Sequence, residues 1–141
     1  MSPQPLDHAP STADRSLHEP AVPMLDMARL QQLVGGDAVV IATVLQAFRE
    51  SAEEVRAAMR QGAAAGSVQV MANAAHGLRP GARSIGAMTV AEACAVIEEA
   101  AHAATAAAPE ALLALFEARL DAVIRLLDAR QQPAATASAD G

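Results

Sequence analysis

Residues Met71 to Ala87 read MANAAHGLRPGARSIGA, and the rest of the chain is arranged to hold them. At helical spacing, Met71, Ala75, Leu78, Ala82 and Ile85 fall at intervals of four, three, four and three, which is one continuous apolar stripe. His76 stands one position off that stripe. Arg79 and Arg83 follow it by three and seven residues, offsets that stack side chains on one helix face. The stretch predicts a helix that buries one side and shows water an imidazole flanked by two guanidiniums.

Composition agrees with helices. The 141 residues are 52% hydrophobic, much of it alanine, with no Trp or Tyr and only Phe48 and Phe116 as aromatics. Alanine is the best helix former, whereas sheets draw on β-branched and aromatic residues. All ten basic residues are arginine, and the net charge is −6. That balance argues against nucleic acid or an anionic membrane surface as partner, since phosphate-rich surfaces require a basic footprint. The single Cys94 excludes an intrachain disulfide and reads as a small buried hydrophobe. No apolar run is long enough for a bilayer, so a cytoplasmic protein is expected.

Moving outward, 1–23 holds five prolines and no apolar period, the pattern of a disordered arm, with His8 and His18 as solvated side chains. A short helix should follow, capped near Asp26, with Leu30 and Leu33 inward and Gly35-Gly36 ending it. Asp37 is placed to cap a long helix whose seam is Ile41, Leu45, Phe48, Ala52, Val55 and Met59. Its charged residues, Arg49, Glu50, Glu53, Glu54 and Arg56, belong to the outer faces. The segment Gly62 to Gly66 breaks the pattern, and Ser67 can cap the His76 helix.

Beyond Gly86, Thr89 and Glu92 have capping-box spacing, with Val90, Cys94, Ile97 and Ala101 as the next stripe. Pro109 opens the last helix, with Leu113, Phe116, Leu120, Val123 and Leu127 inward. From 131 to 141 the chain reads as a disordered tail. The expected fold is all-α: an antiparallel four-helix bundle over 24–130, with a short additional N-terminal helix.

The segment AHGLRPGARSIGAMTVAEACAVIEE, from Ala75 to Glu99, resembles the histidine-containing phosphotransfer (HPt) domain. That family's pattern runs roughly H-x-L-K-G-x-[SA]-x-x-[LI]-G-A. His76 stands at the phospho-accepting position, Leu78 at the core leucine, Arg79 at the basic residue and Ala82 at the small one. Ile85, Gly86 and Ala87 close the motif, with Val90, Cys94, Ile97 and Glu98 continuing it. The resemblance implies a monomeric phosphocarrier, an intermediate rather than a turnover enzyme, that needs no cofactor of its own. Its partners would be receiver domains of a hybrid histidine kinase or a response regulator, which supply Mg²⁺. Arg79 and Arg83 would steer His76 toward the acidic receiver pocket.

The chain departs from the family at Pro80, where glycine is preferred. Proline has no N–H for the carbonyl of His76 and sets a ring beside the imidazole, so a bend or loosened turn is expected between His76 and Gly81. Partner binding is therefore assigned to Arg79, Arg83 and Pro80. Two other readings stand beside phosphotransfer. One is a degenerate HPt-like module that binds a receiver or kinase without carrying phosphate, a reading prompted by Pro80. The other is a metal-binding bundle, prompted by the Glu-x-x-His spacing of Glu99 and His102. Metal bundles of that kind need the motif twice, and it occurs once, so no metal site is assigned.

Overall fold

The computed structural model describes residues 24–103 and 108–131. Five helices account for them in order: α1, Met27–Val34; α2, Ala38–Ala64; α3, Val68–Ser84; α4, Met88–Ala103; and α5, Pro109–Gln131. Each long helix packs on two others, α2 on α3 and α5, and α4 on α3 and α5. Connections this short force consecutive helices to run in opposite directions, so α2 to α5 form an antiparallel four-helix bundle. The short α1 lies on α2 and α3. The proposed arm 1–23 and tail 131–141 fall outside the described residues, apart from the last helical residue, Gln131.

Helix starts follow capping chemistry. The first backbone N–H groups of a helix lack partners, and short polar side chains supply them. Asp26 accepts from the Arg29 N–H at 3.2 Å, Asp37 from Val39 and Val40 at 2.8 and 3.3 Å, and Ser67 from Val70 at 3.1 Å. All three caps match the sequence expectation. The capping box at Thr89 does not form. Helix α4 starts at Met88, two residues earlier than a Thr89 cap would set it, which draws Thr89 into the first turn, buried and with its hydroxyl oxygen unpartnered.

The core is one cluster drawn from every helix. Met71, Ala75, Leu78, Ala82 and Ile85 are all 3% exposed or less, so the stripe that decides the fold is buried throughout. Elsewhere the seams shift slightly. Leu33 is 56% exposed, because the short α1 seats itself on Leu30 and Val34, four residues apart, instead. On α5 the buried residue is Leu112 and Leu113 is only half-buried, while on α4 Ala100 is buried more deeply than Ala101. Helix α2 runs through Gly62 to Ala64 rather than breaking there. Gly62 serves the α2–α3 crossing, since a Cβ on it would stand 2.7 Å from the Met71 side chain.

Arg56 is the largest correction to the helix faces. It is 9% exposed and lies on the α2–α5 seam. It donates to Asp121 at 2.6 Å, to Glu53 at 2.9 Å and to Glu117 at 3.4 Å, and Arg60 joins Glu117 at 2.6 Å. A guanidinium has a long apolar stem and five donors, so it can line a helix seam while its head reaches carboxylates at the edge. Arg49 pairs with Asp128 across the same two helices.

Gly86 ties the N-terminal helix to the bundle. Its φ of 85° is a conformation that only glycine adopts without strain, and its carbonyl accepts the Asp26 N–H at 2.7 Å. A Cβ there would collide with the Asp26 backbone. Gly86→Ala should therefore cost at least about 2 kcal/mol, from left-handed strain and overlap together, measured as a lower urea midpoint of unfolding.

Candidate functional site

Burial of the α3 stripe fixes the rotation of that helix, and the rotation turns His76 outward. Its side chain is 79% exposed. Across the groove, α4 brings up Glu98, whose side chain is only 21% exposed. Glu98 Oε1 lies 2.9 Å from His76 Nδ1, and its other oxygen accepts from Arg79 Nη1 at 3.3 Å. An ionised carboxylate can only accept, so in the neutral ring this contact puts the proton on Nδ1 and leaves Nε2 with a free lone pair. The result is an oriented imidazole with its nucleophilic nitrogen left to solvent.

The expected site residues come together. His76, Arg79, Pro80 and Arg83 line one open surface hollow of about 360 Å³. Their roles differ from those assigned by spacing alone. Arg79 is bound to Glu98 rather than free, so it helps hold the carboxylate that holds the histidine. Arg83 forms no ion pair among the described residues and lines the hollow. A third arginine arrives from α1: Arg29 Nε donates to the Arg83 carbonyl at 2.6 Å, capping the C-terminal end of α3 where cations are favoured.

Around α3 the surface changes character from one side of His76 to the other. Toward α4 it is charged, with Arg79 and Glu98. Toward α1 and α2 it is bare, because Gly77 and Gly81 lie there beside an apolar hollow of about 280 Å³ walled by Leu33, Val44 and Phe48. Pro80 stands between. Helix α3 passes through it unbroken from Val68 to Ser84, so the expected loosened turn does not interrupt the helix. Relative to alanine, each interior glycine costs about 1 kcal/mol and the proline about 3 kcal/mol. No internal contact demands the two glycines, since a Cβ on either would meet open space. The buried stripe and the Ser67 cap keep this helix formed in spite of its exposed face.

Glu98 is the residue at the site that spacing did not assign. It belongs to the family-like motif, but 22 residues of separation on a different helix carry no contact information. Cys94 is buried and unreactive as expected: burial, with the Glu98 charge adding, pushes its thiol up to about 12. Glu99 and His102 are exposed, and no metal-binding group of three His, Cys, Asp or Glu exists among the described residues. His8 and His18 lie outside the described residues.

The Glu98 contact makes a spectroscopic statement. Nitrogen NMR of the His76 ring should find the Nδ1–H tautomer dominant in the wild-type protein. Glu98→Ala should shift the balance toward Nε2–H, and an unchanged tautomer ratio would mean that Glu98 does not orient the ring.

Among the described residues no single helix is long and apolar enough to cross a membrane. The Hpt domain family matches residues 43–128, well over half of the chain. The fold is also similar to the crystal structure of histidine-containing phosphotransfer protein B (HptB) from Pseudomonas aeruginosa PAO1. The two share 25% sequence identity at a TM-score of 0.70, over 79% of this chain and 96% of that one. No match is found among curated proteins. With a helical bundle and a family match spanning the exposed histidine, this chain belongs to the Hpt domain family, whose members pass phosphoryl groups to and from receiver domains in phosphorelays.

Proposed function

We propose that this protein carries a phosphoryl group on Nε2 of His76 between aspartates of receiver domains, one in a hybrid histidine kinase and one in a response regulator. The observation that carries the proposal is the exposed imidazole with Nδ1 committed to Glu98 and a cationic hollow beside it. In the forward step the Nε2 lone pair attacks the phosphorus of a receiver aspartyl phosphate. An N–P bond forms, the P–O bond to the aspartate breaks, and the receiver carboxylate leaves with the electron pair. No proton has to move, because Nε2 begins unprotonated and Nδ1 keeps its hydrogen. The ring becomes positively charged as the bond forms, and the Glu98 carboxylate against Nδ1 offsets that charge. Running the step backwards onto a second receiver completes the relay.

The rest of the surface supports the same reading. Arg83, and Arg79 at the rim, face the negative charge of a phosphoryl group and of an acidic receiver pocket. The Mg²⁺ that such a pocket needs belongs to the receiver. The apolar hollow formed by Leu33, Val44 and Phe48 offers the non-directional part of docking on the opposite side of the histidine. The alternative of a binding module without phosphate rested on disruption at Pro80, and the unbroken α3 with an exposed His76 favours the carrier.

Incubation with a phosphorylated receiver tests the proposal. His76→Gln should abolish uptake of acid-labile phosphate while shifting stability by no more than about 0.5 kcal/mol, as exposed substitutions usually do. Uptake that survives in this variant would move the acceptor elsewhere, with His102 next to test. Arg83→Ala should weaken receiver binding most at low salt, because a surface charge acts through a screened field. Titration of binding against ionic strength measures this, and a loss independent of salt would place docking on another face.

A further inference from the structure

Pro80 is a costly residue on an exposed helix face, and it is not part of the buried core. It is exposed, lies four residues from His76 on the same face, and forms part of the wall of the His76 hollow. Its neighbours in that wall are Arg79 and Arg83, so the hollow has a side built from two arginines and one rigid apolar ridge. The ridge has no hydrogen-bond donor. A polar or charged group pressed against the ring itself would lose water and gain no hydrogen bond from it, whereas an apolar group would keep its contact without that loss. The flanking glycines leave the ring standing clear, since no side chain rises on either of them.

We infer that Pro80 is a specificity-determining residue: it admits receivers that present an apolar residue beside their phosphoaspartate and disfavours those that present a polar or charged one there. The inference rests on the receiver reading of His76. It adds a selection rule to that site, in which the arginines recognise the acidic pocket common to receivers and the proline distinguishes among them. Selection of this kind works by making the wrong partner pay a desolvation penalty rather than by strengthening the right one.

The test uses one receiver that transfers phosphate to the wild-type protein. Variants of it are made in which each exposed residue next to the phosphoaspartate is changed in turn to Ala and to Asn. Transfer rates are measured to wild type, Pro80→Ala and Pro80→Gly. At the receiver position that meets the ring, wild type should take phosphate about tenfold or more slowly from the Asn variant than from the Ala variant. Pro80→Ala and Pro80→Gly should each narrow that ratio to within about threefold, and Pro80→Ala should unfold at a urea concentration no lower than wild type. Identical Asn-to-Ala ratios for all three proteins at every position would overturn the inference while leaving phosphotransfer intact. A destabilised Pro80→Ala would overturn it too, by making the proline structural. If no phosphorylated receiver transfers to the wild-type protein, the phosphotransfer reading itself falls, and the selection rule with it.

Discussion

Everything functional in this bundle depends on the burial of one stripe, Met71, Ala75, Leu78, Ala82 and Ile85, against the neighbouring helices. Those five residues are 3% exposed or less, and the apolar area they remove from water is what holds α3 at one rotation. A helix rotated by a single residue would move about 100° and carry His76 to the buried position of Ala75 or to that of Gly77 on the α1–α2 side. Two of the five are alanines, which let the backbones of α3 and its neighbours approach closely. Small residues on the inner face therefore go with a precisely placed histidine on the outer one.

The same packing permits an unfavourable outer face. Gly77, Pro80 and Gly81 would together weaken an isolated helix of this length to the point of melting, since short helices are marginal even with good formers. Inside the bundle α3 stays helical from Val68 to Ser84. Tertiary burial overrides local propensity, and the surface around the histidine is freed to be shaped by what docks there. Gly86 plays a complementary part below it, where a left-handed turn lets the Asp26 backbone close onto the α3–α4 connection. This anchors α1, which in turn delivers Arg29 to the end of α3 and Leu33 to the apolar hollow.

Charge is divided by location. The net balance is acidic, yet arginines gather along the C-terminal half of α3 while Glu117, Asp121 and Asp128 of α5 are taken up by Arg49, Arg56 and Arg60. Neutralising one seam internally leaves the hollow beside His76 as a local cationic site on an anionic protein. Such a site attracts acidic partners at short range without making the whole molecule bind polyanions.

The sequence by itself determined the helical class, the three side-chain caps at Asp26, Asp37 and Ser67, the buried stripe of α3 and the exposed face with His76, Arg79, Pro80 and Arg83. Each of these is a local property: a 3.6-residue period or a cap depends on residues within a turn or two. Only the tertiary structure decided what crosses between helices. Glu98 reaches Nδ1 from α4, Arg29 reaches the end of α3 from α1, and Arg56 is drawn into the α2–α5 seam by carboxylates more than sixty residues away. Thr89, Leu33 and Leu113 departed from their expected places for the same reason. Which of several adjacent positions is buried depends on where the neighbouring helix lies, and no periodicity within one helix contains that information.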